Sequence, residues 1–321
     1  MKIKRIISLI MVIAMVASVS IGCSKEDKKF KIGVNQLVRH GALDASYEGF
    51  VDALKEAGYI DGDNIIIDYQ IAHNDQSILN TIATKLVNDG NDLILAIATP
   101  SAQAVANATK DIPILVTAVT DPAESGLVES NEAPGGNVSG TSDLTPIHKQ
   151  FELLTQLVPD AKTIAILYSS SESNSKIQVE MAKEAADEFG LNVVEATVSG
   201  TNEIEQVVQS LVGKVDAIYA PTDNTIASGM PTVAMVANSN GIPIICGEES
   251  MVEAGGLATY GIDYYKLGIL TGQQAVRIIE GKASTDKMPI EYLADDQFSL
   301  TINEEVAKQL GITIPEDLLG E

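Results

Sequence analysis

The strongest constraint on the fold of this 321-residue chain is a regular alternation of apolar, strand-like runs with amphipathic, helix-like runs. The run "KIGVNQ" is followed by "ASYEGFVDALKEAG", in which Phe50, Val51, Leu54 and Ala57 recur at helical spacing and Gly58 marks the helix end. The runs "NIIIDYQ", "SILNTIATKLVNDG", "DLILAIA", "SAQAVANAT" and "IPILVTAV" continue the pattern. This β–α alternation predicts an α/β fold with a doubly wound parallel sheet.

The second half of the chain repeats the landmarks of the first half in the same order. The segment 92–94, "DLI", corresponds to 216–218, "DAI", and "TPS" at 99–101 corresponds to "PTD" at 221–223. The run "DIPIL" at 111 matches "GIPII" at 241. Such an internal repeat predicts two similar parallel-sheet lobes.

A Gly-, Pro- and Ser-rich stretch, "TDPAESGLVESNEAPGGNVSGTSDLTPIHKQ", separates the two repeats and is expected to connect the lobes. One more helix-like run and two extended runs follow the second repeat. If the late helix packs on the first lobe, the chain crosses between lobes several times and forms a hinge beside a cleft. We therefore expect lobe 1 to comprise 31–119 and about 262–290, and lobe 2 to comprise 120–261 and about 291–321.

The N-terminus has the layout of a secretory signal. "MKIKRI" supplies positive charge, and "IISLIMVIAMVASVSIGC" is an apolar run that ends in small residues and Cys23. This ending resembles a bacterial lipobox, although Ser20 stands where Leu is usual. We expect residues 1–22 to be a signal peptide, Cys23 to be lipidated, and 23–30 to be a polar tether on the outer face of the cell membrane. An ordinary signal peptide and an uncleaved anchor are the alternatives.

Composition narrows the classes of partner and of chemistry. The net charge is −23 and no basic stripe follows the first residues, which argues against nucleic acid and fits a monomer. The other cysteine, Cys246, lies in an apolar run. We therefore expect its side chain to be buried and to form no disulfide. The three histidines make no metal set, and the chain lacks G-x-S-x-G, G-x-G-x-x-G and Walker motifs. We expect neither an enzyme nor a cofactor.

Ligands of open parallel sheets bind beyond the carboxyl ends of the strands, so polar residues that follow strand-like runs are the candidates for a site. Some are hydroxyl and amide groups where helices begin, a setting suited to anions, and others are carboxylates suited to an ammonium group. An amino acid carries both charges. The candidate ligand-binding residues are Gln36, His40, Thr99, Ser101, Thr120, Asp121, Ser169, Ser170, Asn174, Thr222, Asp223, Asn224 and Glu248.

Each candidate also has a purely structural interpretation. Ser101, Asp223 and Asn224 are good helix caps, and Asp121 precedes a proline in a common type of turn. His40 could be a loop residue, and the run "SSSESNS" could be a solvated loop. His73 and His148 are expected at the surface.

Seven motifs resemble the substrate-binding lipoproteins of ABC importers: "QLVRHGALD", "AIATPSAQA", "TAVTDP", "GGNVSGTSD", "YSSSESNS", "APTDNTIAS" and "GGLATYGIDYYKLG". The resemblance spans about residues 30–315 and is closest to the type I periplasmic-binding group that includes tryptophan- and tyrosine-binding proteins. In the family's first motif Pro is frequent where this chain has Gly41. The resemblance implies ligand capture between two lobes, hinge closure, and delivery to a permease.

The resemblance further suggests an aromatic amino acid, Trp, Tyr or Phe, as the ligand. In that case Thr99 and Ser101 would hold its carboxylate, and Asp223 would hold its ammonium with Asn224 and Asp121 nearby. Gln36 and His40 would shape the side-chain pocket. The sequence leaves open which of Thr222, Asp223 and Asn224 caps the following helix; a cap by Thr222 or Asn224 would leave Asp223 free to face the cleft. The alternatives are a sugar or nucleoside ligand and a surface-anchored enzyme.

Overall fold

A computed structural model describes residues 29–319 of the chain. The predicted signal peptide, Cys23 and nearly all of the tether therefore lie outside the described residues. Within the described part, no helix combines the length and the apolar character that a membrane span requires.

The first lobe is built on a five-stranded, all-parallel sheet with the strand order β2-β1-β3-β4-β5. Its strands are rich in Ile, Leu and Val and are mostly buried, as expected for a parallel sheet with helices on both faces. The strands are β1 (Phe30–Gln36), β2 (Ile65–Ile71), β3 (Leu93–Ile97), β4 (Ile114–Val119) and β5 (Val138–Ser142), and the first three helices are α1 (Gly41–Glu56), α2 (Gln76–Asn88) and α3 (Thr99–Ala108).

The second lobe is built on a six-stranded sheet with the order β11-β10-β9-β8-β6-β7, in which only the edge strand β11 is antiparallel. Its strands are β6 (Thr163–Ser169), β7 (Asn192–Val198), β8 (Ala217–Ala220), β9 (Ile244–Cys246), β10 (Ala258–Ile262) and β11 (Phe298–Ile302). Its helices are α4 (Ile147–Leu157), α5 (Ser173–Glu188), α6 (Ile204–Leu211), α7 (Asn224–Ser228), α8 (Met230–Ser239), α9 (Glu249–Glu253) and α11 (Glu304–Leu310).

The predicted α/β fold with two parallel-sheet lobes is confirmed, but the predicted lobe boundary at 119 is wrong. The segment "VSGTS" forms β5 and pairs with β4, so lobe 1 continues to Ser142. The small polar residues of β5 are typical of a linker, and a short edge strand needs few apolar side chains. In the described chain, the crossings between lobes follow Ser142, follow Ile262, and lie between Glu291 and Phe298.

The helix α10 (Tyr264–Ile279) returns from the hinge to lobe 1 and packs tightly on α1, as the crossing argument predicted. Glycines permit the close approach of the two helix backbones. A Cβ atom added at Gly268 would lie 2.1 Å from the Ser46 carbonyl oxygen, and one at Gly49 would lie 2.1 Å from the Tyr265 carbonyl oxygen. This contact ties the second hinge crossing to the core of lobe 1.

We expect Gly268→Ala to destabilise the protein by roughly 1–2 kcal/mol, since overpacking costs about 1–3 kcal/mol and the gain in helix propensity returns at most about 1 kcal/mol. Denaturant unfolding followed by circular dichroism measures the change. Gly136→Ala is the matched control, because an added Cβ there meets nothing within 4 Å. An unchanged or higher unfolding midpoint for Gly268→Ala would contradict this account of the α1–α10 contact.

Candidate ligand-binding site

A cavity between the lobes contains about 290 Å³ of space free of protein atoms, part of which is open to solvent. Strand ends of both lobes and two hinge segments form its wall. The lining residues are His40, Leu43, Ala118, Thr120, Asp143, Asn174, Thr222, Asp223, Asn224, Ala227, Glu248 and Tyr264. Carboxyl, amide, hydroxyl and imidazole groups thus share one cavity with apolar side chains.

Most of these residues follow the carboxyl end of a strand, where the parallel sheet directs them toward the cleft. Thr120 follows β4, Thr222 and Asp223 follow β8, and Glu248 follows β9. Asp143 and Tyr264 also follow strand ends, those of β5 and β10, and each lies on a hinge segment where the chain crosses between the lobes. The site therefore contains groups that move with each lobe and groups that belong to the hinge.

Of the three candidates for the cap of α7, Asp223 is the residue at the N-cap, so its carboxylate is not left free to face the cleft. Asp223 Oδ1 accepts a hydrogen bond from the Ile226 N–H at 2.8 Å. Its Oδ2 accepts from the Ser169 N–H and the Ser175 hydroxyl, both at 2.6 Å. Asp223 has an extended backbone and directly precedes α7, which is the usual geometry of an N-cap residue. A carboxylate that bonds to the start of the helix is not free to turn toward the cleft.

Glu172, which the sequence analysis did not select, is buried beneath the cavity wall with only 3% of its surface exposed. Its Oε1 accepts from the N–H and the hydroxyl of Thr225, at 2.9 and 2.8 Å. Its Oε2 accepts from the Asn224 N–H at 3.2 Å, from Asn224 Nδ2 at 2.6 Å and from Asn174 Nδ2 at 3.2 Å. Glu172 therefore joins the start of α5 to the start of α7 and orients two amides of the cavity.

The hinge contributes a carboxyl–phenol pair. The Tyr264 hydroxyl donates to Asp143 Oδ2 at 2.7 Å, which joins the first lobe crossing to the second. Asp143 Oδ1 is buried and has no protein partner. Burial raises the pKa of Asp143 to about 6, although the hydrogen bond from Tyr264 and the nearby Thr120 hydroxyl oppose the shift. The cavity thus has one unsatisfied carboxyl oxygen at the hinge.

Two further carboxyl groups in the wall have raised pKa values. Burial, and then the negative charge of Glu172, raises the pKa of Asp223. Burial raises the pKa of Glu248 to about 7, while the Ser250 N–H and hydroxyl satisfy its two oxygens at 2.6 and 2.7 Å. A cation placed among these carboxyls would favour their ionised forms and lower each pKa again.

His40 lies at the N-cap position of α1 and contacts the opposite lobe. Its Nε2 lies 3.3 Å from Asn224 Oδ1, whereas its Nδ1 is buried without a partner. Burial lowers the pKa of His40, so the imidazole is neutral near pH 7. Other bonds between the lobes run from Asn74 Nδ2 to Thr225 Oγ1 at 3.1 Å and from Gln178 Nε2 to Thr120 Oγ1 at 3.1 Å.

Seven predicted site residues therefore meet at the cavity: His40, Thr120, Asn174, Thr222, Asp223, Asn224 and Glu248. Asn174 and Thr222 are themselves linked, since Asn174 Nδ2 donates to the Thr222 carbonyl at 3.2 Å. Asn174 Oδ1 is a second buried oxygen without a partner.

The other predicted residues serve structural bonds and do not line the cavity. Gln36 Nε2 donates to the Val38 carbonyl and to Asp44, and Ser101 Oγ donates to the Asn35 carbonyl at 2.6 Å. Asp121 Oδ1 caps a turn through the N–H groups of Ala123 and Glu124.

Thr99 is buried with its hydroxyl unpaired. Ser169 Oγ lies 2.8 Å from Ser171 Oγ, and Ser170 is exposed. The predicted carboxylate grip of Thr99 and Ser101 is thus not part of the cavity wall.

Strained backbone marks two strand ends of lobe 1. Ala98 and Ala118 have φ values of 81° and 54°, in a region that residues other than glycine rarely adopt. Ala118 lines the cavity and lies where the pairing of β4 with β5 shifts register. Strain of this kind persists where the surrounding structure enforces it, frequently at ligand sites. Among the described residues, no cluster of histidine, cysteine and acidic side chains is suited to hold a metal ion.

Comparison with known proteins finds several that are similar to this chain. A tyrosine-binding protein of Clostridioides difficile is 49% identical over 96% of this chain and 93% of its own length. A domain from Streptococcus pneumoniae in complex with L-Trp has a TM-score of 0.88 and 46% identity, covering 92% of this chain and 98% of that one. The ligand-free, open structure of a Clostridium difficile substrate-binding protein with adhesive properties has a TM-score of 0.68 and 50% identity, covering 90% and 97%.

The higher score belongs to the neighbour with a bound ligand, although the open structure is more similar in sequence. The fold is that of the type I periplasmic-binding proteins. The family profile for ABC transporter substrate-binding proteins matches residues 31–321, and the chain is a member of that family.

Proposed function

We propose that the protein captures an aromatic amino acid in the cavity between its lobes and delivers it to an ABC permease. The observation that carries the amino-acid assignment is Asp143 Oδ1, a buried carboxyl oxygen that has no protein partner in a residue of the cavity wall. Burying such an atom costs free energy unless a hydrogen-bond donor reaches it, and the ammonium group of an amino acid is a charged donor. The aromatic class is supported by the similarity to a tyrosine-binding protein and to an L-Trp complex.

Asp143 replaces Asp223 as the primary ammonium acceptor in this proposal. Both oxygens of Asp223 already accept bonds from the protein, whereas one oxygen of Asp143 does not. Asp223 adds negative potential to the same wall. Among the described residues that line the cavity there is no lysine or arginine, so the ligand carboxylate would rely on hydroxyl groups such as those of Thr120 and Thr222.

Lobe closure follows from where these groups lie. The donors on lobe 2, the imidazole on lobe 1 and the carboxyl at the hinge meet only when the lobes approach each other. A ligand that contacts all three groups binds the closed form more tightly and shifts the population toward it. The permease would then recognise the closed form.

The N-terminal sequence supports an extracytoplasmic location and attachment to the membrane through a lipid on Cys23. The mature domain would follow a short polar tether, "SKEDKK", and enter lobe 1 at β1.

We expect Asp143→Asn to weaken binding of L-Trp and L-Tyr by about 2–5 kcal/mol, because it removes the charged partner of a desolvated ammonium group. Isothermal titration calorimetry measures the affinities. Glu249→Gln is the control. It also removes one negative charge, but Glu249 lies near the cleft without lining the cavity, so the affinity should be unchanged. Equal affinity for Asp143→Asn and the wild type would exclude Asp143 as the acceptor, and no binding by any amino acid would reject the proposed function.

Affinity should fall as the pH drops below about 6. The ammonium favours ionised Asp143, whose pKa in the free protein is raised to about 6, so binding at lower pH must expel a proton. Each proton expelled costs up to about 1.36 kcal/mol per pH unit below the pKa. Titrations at pH 5 and 7.5, with buffers of different ionisation enthalpy at pH 6, measure affinity and proton release. Asp143→Asn should reduce this dependence to the part that Asp223 and Glu248 contribute, and a wild-type affinity constant from pH 5 to 8 would contradict the assignment.

Cys23→Ala should abolish fatty-acid incorporation and release the protein from the membrane fraction. Metabolic labelling with an alkyne fatty acid and cell fractionation measure the two effects. Cys246→Ala is the control, since it removes the buried cysteine of β9 and leaves the anchor. Wild-type protein that is secreted without label would indicate an ordinary signal peptide instead.

A further inference from the structure

We infer that His40 is a specificity-determining residue, which accepts a hydrogen bond from the side chain of the ligand and so selects tyrosine and tryptophan over phenylalanine. This inference rests on the proposed binding of an aromatic amino acid. It follows from a chain of hydrogen bonds that starts at Glu172 and fixes which ring nitrogen of His40 carries the proton.

The first step is the orientation of the Asn224 amide. Both oxygens of Glu172 accept bonds from backbone N–H groups, those of Asn224 and Thr225, so the carboxylate acts as an acceptor. The Asn224 side-chain atom at 2.6 Å from Glu172 Oε2 must therefore be the donor, Nδ2. This contact fixes the amide, and Asn224 Oδ1 points to His40.

The second step is the tautomer of His40. Asn224 Oδ1 can only accept, so His40 Nε2, 3.3 Å away, must carry the proton. In a neutral imidazole the other nitrogen, Nδ1, then presents an acceptor lone pair. His40 is neutral near pH 7 because burial lowers its pKa. The Nδ1 atom is buried and has no protein donor.

The third step is the position of this acceptor along the cavity. Leu43 lies in the first turn of α1, three residues after the N-cap residue His40, and both side chains line the cavity. Asp143, the proposed ammonium partner, lies on a different segment at the hinge. A ligand whose ammonium group is at Asp143 and whose ring packs on Leu43 brings the polar edge of that ring to His40.

The consequence for specificity is direct. The phenol of tyrosine and the indole of tryptophan each carry one hydrogen-bond donor, and the ring of phenylalanine carries none. Closure over phenylalanine would leave Nδ1 desolvated and unpaired, which corresponds to about 10- to 100-fold weaker binding. A purely apolar pocket would instead accept all three amino acids with similar affinity.

The test compares ligands that differ only in the donor. Calorimetry with the purified protein should give about 10- to 100-fold tighter binding for L-Tyr than for L-Phe, and for L-Trp than for 3-benzothienyl-L-alanine, in which sulfur replaces the indole N–H. His40→Leu should bring both ratios close to one, because it removes the acceptor that L-Tyr and L-Trp satisfy and that L-Phe leaves unpaired. His40→Gln, which retains an acceptor oxygen, should restore part of the preference, and His73→Leu is a control at an exposed histidine.

A spectroscopic measurement keeps the inference testable if the variants fold poorly. The ¹⁵N chemical shifts of the His40 ring in the wild-type protein should report a protonated Nε2 and an unprotonated Nδ1. The reverse tautomer, equal binding of L-Tyr and L-Phe, or an equal loss for all four ligands in His40→Leu would overturn the role of His40 alone. Absence of binding by every amino acid would overturn the proposed function as well.

Discussion

The geometry of the ligand site depends on one buried carboxylate, that of Glu172, which has no cation as a partner among its described contacts. Burying a charge costs several kcal/mol unless good hydrogen bonds compensate it. Here the N–H groups at the start of α7, a hydroxyl and two amides supply that compensation, close to the positive end of the helix dipole. The same bonds fix Asn174 and Asn224, and the negative charge raises the pKa of Asp223. One structural ion thus sets the orientation of the amides and the electrostatics of the cavity wall.

The two-lobe fold could be predicted from sequence because the spacing of apolar residues reflects which side chains are buried. The expectation that ligands bind beyond the carboxyl ends of parallel strands located His40, Asn174 and Asp223. The rule names a position in the chain but not a side-chain direction. Gln36 and Ser101 lie near strand ends as well, yet their side chains bond to the protein interior. Asp143 and Tyr264 escaped prediction because 121 positions separate them and only the folded hinge brings them together. Glu172 escaped because a carboxylate in a run of serines is typical of a solvated loop.

The hinge pair gives ligand binding a physical route to lobe closure. Asp143 and Tyr264 begin the segments that follow the first two crossings, and their hydrogen bond ties these segments at the edge of the cavity. Tyr264 also begins α10, which the glycine contacts hold rigidly on α1. A ligand ammonium at Asp143 would therefore bind to a group whose position depends on how the lobes are arranged. Ligand affinity and lobe closure would thus be coupled directly at Asp143, because the same contact contributes to both.

The direct bonds between the lobes are few and mostly neutral, which limits how strongly the closed form can hold itself together. The contacts His40–Asn224, Asn74–Thr225, Gln178–Thr120 and Gln103–Ser173 would each contribute about 0.5–1.5 kcal/mol. A complete switch from an open to a closed population requires about 5.5 kcal/mol of differential binding. The ligand must therefore supply a substantial share of the closing free energy through contacts that exist only in the closed cavity. A charged bond at the hinge and a donor–acceptor bond at His40 are contacts of that kind, so the groups that select the ligand are also the ones that close the lobes on it.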